Sequence, residues 1–199
     1  KPTNKLMTRL SLYLFLILFT LPTPSQADDI RDFQIEEMSV GDSLLDHFSE
    51  EKIEEGIRYN YFQSINDKTF IISEINSDSF NIYEGVQIVF KRNDKKYKIY
   101  GMHGIIFYGK NINHCYDKLK EISYDISNNI NYELRDDFND IEMSGDRGKY
   151  TGTTFFLNKG IISIHCTDWA KKIENERNWT DNLRVNIKTD EYENFLRKD

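Results

Sequence analysis

Positive charge is in deficit along this chain. Its 26 lysines and arginines face 33 acidic residues, a formal net charge of −7. A surface of that sign repels phosphates, so it excludes nucleic acid as a partner and disfavours anionic membrane. Cysteine is scarcer still, with only Cys115 and Cys166. The catalytic signatures are missing too: there is no G-x-S-x-G, P-loop, G-x-G-x-x-G or H-E-x-x-H. The sequence therefore names no catalytic residue and implies no cofactor. The chain also lacks an apolar run of membrane-spanning length. Its longest, Leu10 to Leu21, falls short of the roughly 20 residues a span requires.

That run has another reading. Lys1, Lys5 and Arg9 precede it, Pro22 and Pro24 follow it, and Ser25-Gln26-Ala27 is a small-x-small cleavage site. The order is that of a secretory signal peptide over residues 1–27, leaving 28–199 as a single domain. Met7 is a candidate start, which would make the first six residues an extension. Removing the leader would take the net charge from −7 to −10. The residue after the cut is Asp28 rather than a lipidated cysteine, so no stable membrane anchor is expected after cleavage. The setting predicted is periplasmic or secreted.

What is present begins with the stretch from Asn111 to Ile130. Ile112, Cys115, Leu119, Ile122, Ile126 and Ile130 recur at steps of three or four and draw one stripe down a helix. Asn111 is its candidate N-cap. Cys166 lies in a segment that alternates like a strand, where Ile162, Ile164 and Cys166 share a face. Each cysteine thus sits on the apolar face of its own element, and an exported chain with two cysteines favours one disulfide, Cys115 to Cys166. Free buried thiols, and a metal site or a catalytic thiol, are the alternatives. Both cysteines follow a histidine, His114 and His165, but neighbours on a strand point to opposite faces and neighbours on a helix diverge by about 100°. Four such ligands converge poorly.

The remaining pattern predicts helix from Ser39, with a weak Ser39/Asp42 capping box, a second N-cap at Ser49 and a stop at Gly56. Strands are expected at Phe70–Ile75, Val86–Lys91, Tyr97–Tyr108, Thr151–Leu157, Ile161–Thr167 and Leu183–Lys188. Gly101 and Gly104 within the third signal a bulge or a close backbone approach. Asp168 and Asp190 are candidate caps of two short helices. Residues 131–150 read as a polar surface loop with at most one short strand. Along the strand at 183–188, Leu183, Val185 and Ile187 are read inward and Arg184, Asn186 and Lys188 outward. Hairpins dominate, so the fold class expected is α+β: a mostly antiparallel sheet with helices packed on one face, and helix then about three strands in each half.

Three kinds of functional residue are candidates. Asp140, Glu142, Ser144 and Asp146 alternate oxygen ligands before a turn, a faint calcium-loop pattern lacking the closing glutamate. Tyr97, Tyr100 and Tyr108 belong to an aromatic run and are candidates for a binding surface. His47, His103 and the scattered carboxylates offer material for a hydrolase, with no pair singled out as acid and base. Asn178-Trp179-Thr180 is a glycosylation sequon, meaningful only in a eukaryotic secretory pathway.

The stretches S-V-G-D-S-L-L-D-H-F-S-E-E-K-I, Y-K-I-Y-G-M-H-G-I-I-F-Y, I-S-I-H-C-T-D-W and D-N-L-R-V-N-I-K-T-D-E-Y-E-N-F-L resemble a family of small exported proteins from AT-rich marine alphaproteobacteria, to which no activity is assigned. The resemblance implies a Gram-negative periplasmic setting and carries no functional residues across. At the level of fold the chain is similar to small envelope α/β modules of the BamE or protease- and β-lactamase-inhibitor kind. Those are usually lipoproteins, a pattern from which Asp28 departs. The function expected is a non-enzymatic binding or interaction protein whose partner is another envelope protein or a small ligand. A hydrolase and a low-affinity calcium binder are the alternatives.

Overall fold

A computed structural model of the chain describes residues 29–62, 65–109 and 111–198. The signal-peptide segment 1–27 and Asp28 lie outside the described residues.

Seven strands form one antiparallel sheet in the order β3-β4-β5-β9-β8-β7-β6. They are β3 (Phe70–Ile75), β4 (Gly85–Lys91), β5 (Gly101–Gly109), β6 (Leu134–Glu142), β7 (Gly148–Leu157), β8 (Gly160–Trp169) and β9 (Asp181–Thr189). A two-stranded hairpin, β1 (Gln34–Ile35) and β2 (Met38–Ser39), precedes them. Among the described residues four α-helices complete the fold: α1 (Glu50–Glu55), α2 (Ile112–Asn129), α3 (Lys171–Arg177) and α4 (Asp190–Leu196). The α+β class and the antiparallel sheet are as the hairpin spacing predicts.

Alternation sets the front face of the sheet. Ile71 and Ile75 on β3, Val86, Ile88 and Phe90 on β4, Met102 on β5, Leu183, Val185 and Ile187 on β9, Ile162 and Ile164 on β8 and Phe155 on β7 share one core. The apolar stripe of α2 closes over it, with Cys115 and Leu119 buried. Ile53 of α1 joins the same core.

The short helix α4 crosses to the opposite, back face. Tyr192 and Phe195 pack there with Phe70, Ile72, Val89 and Ile65 in a second apolar cluster. So α1 and α2 cover one face, as expected, while α4 covers part of the other. This double cover explains why β4 is buried along almost its whole length instead of alternating.

Gly101 and Gly104 mark close approaches and not a bulge. A Cβ at Gly101 would stand 2.6 Å from the Tyr192 ring on the back, and one at Gly104 2.5 Å from the Tyr83 ring on the front. The irregularity in β5 falls later, between Phe107 and Gly109. Gly104→Ala must displace a packed aromatic ring, and overpacking of this kind is expected to cost about 2 kcal/mol. A urea titration checks it; an unmoved midpoint would mean that Tyr83 yields freely.

Several local expectations are corrected. The segment from Ser39 is not a long helix. Asp42 Oδ2 accepts from the Ser39 amide at 2.8 Å in a turn, Leu44–Asp46 is one 3-10 turn, and α1 starts only after Ser49, whose Oγ accepts from Lys52 N at 3.3 Å. The cap of α3 is Ala170 and not Asp168, and that of α4 is Thr189 and not Asp190. Asn111 precedes α2 but its side chain reaches the His114 ring instead of capping. Asn178 ends α3 in the left-handed region, at φ 54°.

The largest correction is β6. Residues 131–150 hold a nine-residue edge strand and the start of β7. β6 is exposed on nearly every residue, so it has no apolar alternation to betray it. Its backbone ladder to β7 is what makes it a strand.

Candidate functional site

Cys115 and Cys166 are joined, with Cα atoms 5.9 Å apart. His165 points away from Cys166, to the back face, and among the described residues no three His, Cys, Asp or Glu side chains converge on a metal position.

The three candidate tyrosines do not share a surface. Tyr97 is buried at 6% exposure against Phe90, and its hydroxyl donates to Glu50 at 3.0 Å and Glu54 at 3.3 Å. Burial and those carboxylates push its pKa up to about 12. Tyr100 packs on Phe70 at the back, under the Lys91 ammonium, and Tyr108 packs at the front. The calcium candidates are likewise engaged elsewhere. Asp140 pairs with Lys149 at 2.7 Å, and Ser144 accepts from Arg147 through both its carbonyl and its hydroxyl. Glu142 is opposite Lys149 in the ladder, and Asp146 sits in the hairpin turn at φ 50°.

A cleft of about 610 Å³ lies between α2 and the β6–β7 hairpin. It exists because α2 lies over β8 and reaches only the margin of β7, so β6 projects beyond the helix. One wall is the helical stripe Tyr116, Lys120, Ser123, Tyr124 and Ser127, next to the buried stripe of Cys115 and Leu119. The floor is Thr151 and Thr153 of β7, with Arg135, Asp137 and Asp140 of β6.

Arg135 ties the two walls together. Its Nη1 donates to Ser127 Oγ on α2 at 2.8 Å and its Nε to Asp137 Oδ1 at 2.9 Å. Its guanidinium lies over the Phe155 ring, 5.5 Å from the centroid. Thr153 donates to the same Asp137 oxygen at 2.6 Å. Partial burial pushes the Asp137 carboxyl up, but the Thr153 hydroxyl and Arg135 outweigh it, and its pKa rests below the ordinary carboxylate value. Burial, with Asp168 nearby, holds the Tyr116 hydroxyl above its usual range.

The two carboxylates of the cleft are matched: Asp137 meets Arg135 and Asp140 meets Lys149 beside it, while Lys120 at the helical wall stands 3.8 Å from Asp117. One polar group is left over: Ser123, only 4% exposed, keeps a hydroxyl with no partner among the described residues. An unpaired buried hydroxyl costs about 1–3 kcal/mol.

The back face carries a second polar construction. In register, Glu74, Gln87, His103, Asn186, Ser163, Thr154 and Asp136 stand opposite one another across all seven strands. The Tyr192 hydroxyl is 3.4 Å from His103 Nε2, and His103 Nδ1 is 2.7 Å from Asn186 Oδ1. Since that amide oxygen only accepts, His103 carries its proton on Nδ1. Asn186 Nδ2 donates to the carbonyl and hydroxyl oxygens of Ser163, each at 3.1 Å. Alternation along β9 puts Asn186 on the outward face, yet it is 4% exposed, because the back face here is roofed. Burial above all, then Arg184 and Lys188, lowers the pKa of both His103 and His165 to about 3. Both imidazoles are neutral.

No family model, curated protein or solved structure matches the chain. Nothing in the sequence marks Arg135, Asp137 and Ser123 as neighbours, since their meeting depends on an edge strand with no periodic signal. Polar letters inside apolar strands, Gln87, His103 and Ser163, were the visible trace of the back-face row.

Proposed function

We propose that this chain is a non-enzymatic binding protein of the periplasm or extracellular space, and that its cleft takes a small, neutral, hydroxyl-rich ligand of the saccharide type. The observation that carries the reading is a cleft of about 610 Å³ lined by the hydroxyl-bearing residues Tyr116, Tyr124, Ser127, Thr151 and Thr153. That volume is of the size that holds small molecules. The internal matching of Arg135 with Asp137 and of Lys149 with Asp140 asks for no ionic ligand. What the cleft offers is hydroxyls, aromatic rings at Tyr116 and Tyr124, and a planar ion pair.

The disulfide supports an oxidising compartment. Among the described residues no helix is long and apolar enough to cross a membrane. A hydrolase draws no support from the cleft: Asp137 is held ionised where a general acid needs a raised pKa, and the two neutral histidines lie on the other face.

Amide NMR of the full chain titrated with cellobiose, chitobiose and trehalose tests the reading. A saturable shift at Ser123, Thr151 and Thr153 is expected with at least one of them, and Arg135→Ala should weaken it about tenfold or more. Cleft resonances unmoved by the whole panel at millimolar concentration would overturn the assignment.

A further inference from the structure

We infer that the back face carries a second binding site, centred on Arg184, for a carboxylate joined to an apolar group. Arg184 is half-buried, and no carboxylate among the described residues pairs with it. Its neighbours on the same face are accounted for: Lys188 meets Glu193 at 2.6 Å and Arg58 meets Glu74 at 2.8 Å. Among the described residues the one partner of Arg184 is neutral, the Gln87 amide oxygen, which accepts from Nη1 at 3.1 Å. A guanidinium removed from bulk water normally sits against an anion, because desolvating it alone is costly.

The surroundings are built and not accidental. Gln87 is 6% exposed and cannot turn, since its Nε2 donates to Glu74 Oε1 at 2.6 Å. Its oxygen is thereby presented to Arg184 and to the Tyr61 hydroxyl, which donates to it at 3.2 Å. One of five guanidinium N–H groups is thus committed, leaving a fork free for the two oxygens of a carboxylate. Near it lie Ile105, directly opposite Arg184 in the ladder, and Phe107, opposite Asn182 and 49% exposed. Cross-strand diagonals put Phe107 within reach of a group held by Arg184. One uncompensated positive charge suits a monoanion, and the apolar pair suits a hydrocarbon or apolar side chain next to it. A free organic acid and the C-terminal residue of a peptide both present that chemistry.

Amide and arginine Nε NMR of the full chain, titrated with sodium hexanoate, hexanamide, sodium chloride, and the peptide Ala-Ala-Leu as acid and as amide, tests the site. Saturable shifts at Arg184 Nε and at the Phe107 amide are expected with the acids only. The amides should bind about tenfold more weakly or not at all. Arg184→Met should abolish the shifts and Arg184→Lys reduce them, with circular dichroism reporting whether each variant is folded. Peptide acid binding well ahead of hexanoate assigns the site to a chain terminus, and equal binding to a free acid. Shifts that are the same with chloride or with the amides would overturn the site, whatever the variants do. Responses confined to the α2–β6 cleft would overturn it as well, without bearing on the cleft's own ligand.

Discussion

Reduction of the Cys115–Cys166 bond is expected to lower the stability of the folded chain by about 4 kcal/mol. The bond closes a loop with a sequence separation of 51. In the chain-entropy account, releasing a loop of that length returns about 4 kcal/mol of conformational freedom to the unfolded state. The effect is large against the 5–15 kcal/mol, roughly, that separates most domains from unfolding. Both sulfurs are fully buried between α2 and β8, so the reduced thiols would stay packed and the folded structure should survive in mild conditions. Urea titrations with and without dithiothreitol check this. A difference below about 1 kcal/mol would mean that the unfolded chain already keeps these two segments close.

Acidification between neutrality and about pH 5 should also be costly, and through the two neutral histidines. Their pKa is about 3 in the folded chain against 6.5 for the free side chain. The unfolded state therefore binds protons that the folded state refuses between those values. Stability is complete above the unfolded value and is lost progressively as pH falls from 6.5 toward 3. By about pH 5 the linkage amounts to about 2 kcal/mol for His103. His165, less deeply buried than His103, contributes less.

Carboxylates with lowered pKa act below this window, while Asp181, raised by burial, works weakly the other way at its lower edge. Asp67 at about 2, and Asp137, are lowered, so the stability they lend fades only below the ordinary carboxylate range. Urea midpoints at about pH 7 and about pH 5 should differ markedly in the wild type and less in His165→Gln. Equal midpoints at the two pH values would mean that the imidazoles take up protons within the fold.

The parts of this fold that could be read in advance are those where burial is one-sided. Cys115 and Leu119 on α2 and Ile162, Ile164 and Cys166 on β8 repeat with the period of their own element, and the pairing of the two faces followed. β6 could not be read that way. An edge strand that projects past its covering helix has solvent on both faces, so Leu134 to Glu142 carries charges where alternation would be sought. The cleft was lost with it. The back-face row was hidden for a different reason. Glu74, Gln87, His103, Asn186 and Ser163 are far apart in sequence, and only the ladder's register sets them abreast. Nothing local marks Asn186 as roofed by α4, because the helix that covers it begins after β9 has ended.

The covalent ring also has a bearing on damage. The tip of the β6–β7 hairpin, 143–147, is among the most exposed parts of the chain and lies inside the loop that the disulfide closes. A protease that clips this tip makes two polypeptides but not two particles: the amino-terminal piece keeps α2, the carboxy-terminal piece keeps β8, and their sulfurs stay bonded. Such a nicked molecule migrates as one species until a reductant is added.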